Sequence, residues 1–160
     1  MAMDMFIKIG DLEGESRDKT HAKSIDVLAW SWGLSNSGTA HVGGGAGAGK
    51  VNVQDVSFTK WIDKSSPDLM LLCCNGKHIP EAKLTVRKAG ENPLEYLIVT
   101  MSECMITAVS TGGSGGEDRL TENVTINFAQ VKVNYVEQTP TGAAGAKPQM
   151  GWNIAENVKL

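Results

Sequence analysis

The stretch Leu94-Glu-Tyr-Leu-Ile-Val-Thr-Met-Ser-Glu-Cys-Met-Ile-Thr-Ala-Val109 decides the fold, because it is long and carries β-branched or apolar residues on both faces. The glycine-rich turn region 112–116 follows it, and residues 122–136 form the predicted return strand of a hairpin. The return strand changes its apolar phase near Ala129. Its two inward sets are Val124, Ile126 and Phe128, then Val131, Val133 and Tyr135.

The other strand patterns predict antiparallel sheets that bend around one core. Residues 3–9 alternate as a half-buried strand, and residues 24–34 are apolar on both faces. Residues 50–60 form a strand whose phase changes near Gln54 and Asp55, which indicates a bulge or turn. Residues 81–88 alternate cleanly. We expect Ala82, Leu84 and Val86 to face inward, and Lys83, Thr85 and Arg87 to face solvent.

A short flanking α-helix is predicted over about residues 66–75. Ser65 and Ser66 supply a cap, Pro67 suits the first turn, and Gly76 is a plausible stop. Residues 69–74 are apolar at every position, so the helix must be covered on more than one side. The fold class is therefore mainly β: two antiparallel sheets forming a small β-barrel or sandwich with one short flanking α-helix.

The length of 160 residues predicts a single domain, 1–160, in which 139–150 is linker-like and 151–160 is a C-terminal tail. A net charge of -3 gives no strong field for phosphate backbones or anionic lipid, so neither nucleic-acid binding nor membrane insertion is expected. Three cysteines make a disulfide framework improbable, and the amino terminus lacks an apolar signal region. We expect a reduced protein made in the cytoplasm.

Residues 36–49 consist largely of small residues and predict a long exposed loop. Residues 44–51 nearly match a phosphate-binding loop, but Val51 has no hydroxyl for magnesium and strand follows instead of helix. His21, His41 and His78 show no ligand spacing with the cysteines. We therefore predict no catalytic residue, no cofactor site and no metal site. The remaining signals are apolar surfaces, which favour a self-associating β domain.

Several strings resemble one family, the haemolysin-coregulated proteins (Hcp), which form the tube of bacterial type VI secretion. The strings are Met5-Phe-Ile-Lys-Ile-Gly-Asp11, Val27-Leu-Ala-Trp-Ser-Trp-Gly33, Gly49-Lys-Val-Asn-Val-Gln-Asp55, Ser57-Phe-Thr-Lys60, Gly112-Gly-Ser-Gly-Gly-Glu-Asp-Arg-Leu-Thr-Glu-Asn123 and Gly151-Trp-Asn-Ile154. They occur in order through nearly the whole chain.

The resemblance implies a two-sheet barrel with one helix, homohexameric rings, and stacking of rings into a hollow tube. It implies export by a contractile sheath beneath a spike protein, without a Sec signal, and effectors held in the lumen by some members. The alternative function is a ring-forming soluble β-sandwich binding protein or effector chaperone that does not stack. Neither function is enzymatic.

The resemblance also suggests site residues. Residues 36–50 match the family's extended loop, and the alternative is a disordered loop. Its ring-stacking candidates are Thr39, His41, Gly43, Gly44, Gly45, Gly47 and Gly49. Ser31 is the candidate for the lumen wall, because it is a small polar residue between Trp30 and Trp32 in the matching strand. Core packing or a subunit contact is the expected role of these two tryptophans.

Overall fold

The computed structural model describes residues 3–38 and 49–160. These residues form ten strands and one α-helix: β1 (Met3–Ile9), β2 (Ile25–Ser31), β3 (Leu34–Ser35), β4 (Asn52–Val53), β5 (Val56–Trp61), α1 (Ser66–Asn75), β6 (Ile79–Lys88), β7 (Glu95–Thr111), β8 (Thr121–Tyr135), β9 (Gln149–Asn153) and β10 (Val158–Lys159).

Six strands close into an antiparallel barrel in the order β8-β5-β2-β1-β6-β7, with β7 pairing back to β8. Strand β8 changes its partner along its length, because residues 121–126 pair with β5 and residues 130–134 pair with β9. Strands β9 and β10 extend the sheet from there, and β3 and β4 form a separate two-stranded sheet. The predicted mainly-β barrel with one short helix is confirmed.

The core is formed by the inward residues of all six barrel strands. Fully buried members include Ile7, Ile9, Val56, Leu84, Met101, Ile106, Val124, Ile126 and Val131. The phase change of β8 is confirmed, since Phe128 and Val131 are both buried. Tyr135 departs from the prediction because it is 44% exposed. The change near Gln54 and Asp55 is also confirmed, because these two residues separate β4 from β5.

Strand β2, which the sequence predicts to be apolar on both faces, does not alternate regularly. A register shift between Val27 and Ala29 against β5 lets Val27 and Trp30 both contact the core, while Leu28 and Ala29 are exposed. An extra residue in one strand rotates all side chains that follow it. Ala29 and Ser31 therefore share the outer side of this strand.

The prediction that Thr85 and Arg87 face solvent was wrong. Both are buried, because the segment 11–24 covers the outer side of β1 and β6. Arg87 donates hydrogen bonds to Asp18, to Thr20 and, more weakly, to Asp4. The hydrogen bond from Arg87 holds the pKa of Asp18 well below its usual range.

The segment 11–24 also makes an aromatic contact with the outer side of β1. The His21 ring stacks on Phe6 with centroids 4.5 Å apart, and the Arg87 guanidinium carbon lies 5.0 Å from the centroid of the same Phe6 ring. The Nε2 atom of His21 lies 2.6 Å from Oε1 of Glu95. Phe6 lies next to the inward Ile7 of β1 and is thus buried outside the barrel by the loop.

Helix α1 begins after Ser65 and ends at Gly76, which has a left-handed φ of 63° and donates its amide to Leu72 O. Glycine adopts this conformation without steric cost, so the predicted stop is confirmed. Leu69 is fully buried, whereas Met70 is 38% and Leu71 is 60% exposed. The described residues therefore cover the helix on one side only.

Lys60 and Glu122 form an ion pair on the inward side of β5 and β8, and both side chains are 0% exposed. Lys60 Nζ lies 2.5 Å from Glu122 Oε1 and 3.1 Å from Asp63 Oδ1, and it donates to Trp61 O at 2.8 Å. The Ser66 hydroxyl donates to Glu122 Oε1 at 2.6 Å. This buried cluster joins two strands to the first turn of α1.

We predict that Lys60→Met lowers the free energy of unfolding by about 3–5 kcal/mol, because it leaves Glu122 and Asp63 buried without their cation. Urea unfolding at fixed protein concentration measures the loss. The double variant Lys60→Met/Glu122→Met should recover more than half of it, since an apolar pair carries no uncompensated charge. A loss below about 1 kcal/mol in the single variant would contradict this role.

Candidate functional site

The outer sides of β2, β5, β8 and β7 form one exposed sheet surface, here called the polar face. It consists of two rows, each made of residues that lie side by side across the four strands. One row is Ser31, Ser57, Thr125 and Ala108, and the other is Ala29, Thr59, Asn123 and Ser110. The face is outward because the alternate residues of the same strands, such as Phe58 and Val124, are buried.

Hydrogen bonds within the polar face fix its side chains. The hydroxyls of Ser57 and Thr125 lie 3.2 Å apart, and the Thr59 hydroxyl donates to Asn123 Oδ1 at 2.6 Å. A recess of about 190 Å³ lies beside them and is lined partly by Ala29 and Ser31. The face is therefore an ordered surface of hydroxyl, amide and methyl groups.

None of the eight side chains in the two rows is ionisable, and charges begin only at the ends of the face. Asp55 lies immediately before β5. At the other end, the Arg119 guanidinium carbon lies 4.5 Å from the centroid of the Trp61 ring. Asp26 shares a cavity with Trp61 and Arg119, and burial raises the pKa of its carboxyl.

Ser31, the predicted lumen residue, lies in the first row of the polar face and is exposed. Sequence reasoning missed its partners Ser57, Thr59, Asn123 and Thr125. Ser57 and Thr125 each lie between two buried apolar residues, and that alternation is the signal that could have found them. Thr59 and Asn123 each have a buried charged neighbour, Lys60 or Glu122, so the same signal is broken there.

Among the loop candidates, Thr39, His41, Gly43, Gly44, Gly45 and Gly47 lie outside the described residues, as do residues 44–48 of the rejected phosphate-loop match. Gly49 is described, and its carbonyl accepts a 2.7 Å hydrogen bond from Asn36 Nδ2. Strands β3 and β4 pair antiparallel, with Leu34 opposite Val53. The described ends of the loop thus leave the barrel as a paired hairpin.

The base of this hairpin is held by three kinds of contact. Trp32 Nε1 donates to Gln54 O at 2.8 Å, and the Gln54 amide donates to Gly33 O at 3.0 Å. Asp55 accepts from Asn127 Nδ2 at 2.9 Å and from the Thr107 hydroxyl at 3.3 Å. The hairpin is therefore fastened to both β7 and β8.

The histidine and cysteine side chains that the structure describes do not converge on a site. Within residues 3–38 and 49–160, no group of three or more His, Cys, Asp or Glu is placed to hold a metal ion. Cys73, Cys74 and Cys104 are free thiols. Burial raises the pKa of the Cys104 thiol to about 11, so it stays protonated and a poor nucleophile.

No helix in the described part of the chain is long and apolar enough to cross a membrane.

These features define a structural class: a closed six-stranded antiparallel barrel, flanked by one helix, that presents an ordered uncharged sheet surface. The profile of the family described as "Type VI secretion system effector, Hcp" matches residues 6–135. The chain therefore belongs to the Hcp family of type VI secretion proteins, a family of secreted structural proteins.

Similar proteins agree with this assignment. The protein hcp1 of Pseudomonas aeruginosa is 68% identical over 161 residues, which cover 99% of each chain. The crystal structure of Hcp1 from Salmonella typhimurium is 40% identical, covers 100% of both chains and superposes with a TM-score of 0.84. A type VI secretion effector from Yersinia pestis is 35% identical, with 94% and 99% of the two chains covered and a TM-score of 0.77.

Proposed function

We propose that this chain is a subunit of the type VI secretion tube. Six copies form a ring, rings stack into a hollow tube, and the polar face lines the lumen. The observation that carries the proposal is the polar face itself: eight outward positions on four strands, in register and without a charge. Membership of the Hcp family supports the same role.

Uncovered apolar groups support self-association. Helix α1 presents Met70 and Leu71 to solvent, and Leu28 of β2 is 39% exposed. Surfaces of this kind are typical of contacts between subunits. Burying them against neighbouring copies would complete the cover that the helix sequence requires.

The tube is proposed to be made in the bacterial cytoplasm and secreted to the exterior by the type VI apparatus, without a Sec signal peptide. Its partners are then further copies of itself, a spike protein, a contractile sheath and small effectors held in the lumen. The hydroxyls and amides of the polar face would contact such effectors through neutral hydrogen bonds, each contributing about 0.5–1.5 kcal/mol.

Native mass spectrometry combined with electron microscopy of the purified protein tests the proposal. We expect a mass six times that of one chain, and rings that stack at high protein concentration. A monomer would contradict any assembly function. Rings that never stack, even when incubated with the spike protein and sheath of the same bacterium, would favour the alternative of a non-stacking ring that binds or chaperones effectors.

Ser31→Tyr should impair retention of effectors while rings persist, because a bulky side chain would project from the first row of the polar face. Mass spectrometry of type VI effector levels in producing cells measures retention, and native mass spectrometry checks the ring. Ser114→Gln, in the exposed turn between β7 and β8, is the matched control. Loss of the ring in Ser31→Tyr would instead make Ser31 a packing residue.

Deletion of residues 43–49 should weaken stacking and leave the subunit folded, because the barrel strands lie outside this segment. Electron microscopy counts stacked rings, and circular dichroism checks the fold. Replacing the same residues by a Gly-Ser segment of equal length separates the effect of loop length from that of loop sequence. Tubes of unchanged length in the deletion would refute the role of the loop.

A further inference from the structure

The side chain of Asp55 makes contacts that the proposed tube function does not itself require. It lies between β4 and β5, at the point where the β3–β4 hairpin leaves the barrel. Its two carboxylate oxygens are used separately: Oδ1 accepts from Asn127 of β8, and Oδ2 accepts from Thr107 of β7. One side chain therefore bridges the base of the hairpin to two barrel strands.

Thr107 is the extra residue of a β-bulge. The register of β7 against β8 shifts between Ile106 and Ala108, and Thr107 is left without a partner in the ladder. A bulge turns one side chain away from the regular alternation of its strand. Here it places the Thr107 hydroxyl 3.3 Å from both Asp55 Oδ2 and the carbonyl of Thr125.

The part of the hairpin that the structure describes is short. It contains two paired residues on each strand, and a two-stranded ribbon of this length is not stable alone. Its orientation must then come from contacts at its base. The described contacts include the indole of Trp32, the Gln54 amide, the Asp55 carboxylate and the packing of Val53 against the core.

We propose that Asp55 is a positioning residue: it sets the angle of the β3–β4 hairpin to the barrel and so determines whether rings dock on one another. The inference rests on the proposed stacking of rings. Asp55 acts through Asn127 and Thr107, without touching the neighbouring ring.

Two substitutions separate geometry from charge. Asp55→Ala removes both acceptors. Asp55→Asn removes the charge but keeps the bridge, because an amide oxygen can accept from Asn127 and the amide nitrogen can donate to the Thr107 hydroxyl. Asp11→Ala, at an exposed position between β1 and β2, is a control for loss of one negative charge.

Hydrogen exchange is the first readout, measured at the Gln54 amide that bonds to Gly33 O. We expect exchange about tenfold faster in Asp55→Ala, and near wild-type exchange in Asp55→Asn and Asp11→Ala. Native mass spectrometry should give intact hexamers for all three. Electron microscopy should show stacks for Asp55→Asn and Asp11→Ala, and isolated rings for Asp55→Ala.

Unchanged exchange at Gln54 in Asp55→Ala would overturn the proposal. It would also be overturned if Asp55→Asn lost stacking with slow exchange at Gln54, because the charge would then act directly. Should Asp55→Ala fail to fold, Asn127→Ala and Thr107→Ala each remove one bond, and each should accelerate exchange. Wild-type rings that never stack would contradict the proposed function, and exchange alone would then decide whether Asp55 fixes the hairpin.

Discussion

The buried ion pair between Lys60 and Glu122 is the constraint on which the rest of the structure depends. Both charges lie at inward positions of the barrel, where removal from water is costly unless every bond is made. Glu122 Oε1 is bonded by both Lys60 and Ser66 only if Lys60 stands opposite Glu122 and Ser66 begins the helix beside them. Among the described residues, Glu122 Oε2 has no hydrogen-bond partner. The ion pair therefore couples the register of β5 and β8 to the residue at which α1 begins. The same register of β5 and β8 places Thr59 opposite Asn123 on the outer side of the sheet. A slip by one residue would expose the ion pair and turn the polar face inward.

Periodicity in the sequence predicted much of the fold, because local alternation reports directly on which side of a strand is buried. The phase changes near Asp55 and Ala129 correspond to a break between strands and to the point where β8 changes its partner. Burial of Lys60 could not be predicted, since a lysine in a strand is expected to face water and its partner lies 62 positions away. Burial of Arg87 could not be predicted for the same reason, because its partner Asp18 lies 69 positions away in the sequence. The bulge in β2 leaves no distinct local signal either.

The candidate site was predicted at one position, Ser31, and only through a family resemblance. Its other members become recognisable once four strands that are not consecutive in sequence are placed in register. Outward serine, threonine and asparagine residues occur on the solvent side of most antiparallel sheets. Here these residues indicate a site because neither described row contains an ionisable side chain. That property becomes visible only when the strands are paired, and no single strand shows it.

An uncharged surface suits the proposed passage of effectors for a physical reason. A charged lumen would bind every oppositely charged protein, attract counterions and repel effectors of like charge over roughly 8–10 Å at physiological salt. Hydroxyl and amide groups interact only at contact, and each bond exchanges readily for one with water. Retention would then come from the repetition of weak contacts around a ring, and release would require no single strong bond to break. Among the described residues, Asp55 lies near one end of β5, and Arg119 and Asp26 lie near the other end, where the polar face stops. In the proposed tube, such a division would give the lumen a neutral wall and leave specific, directional contacts to the ends of the barrel.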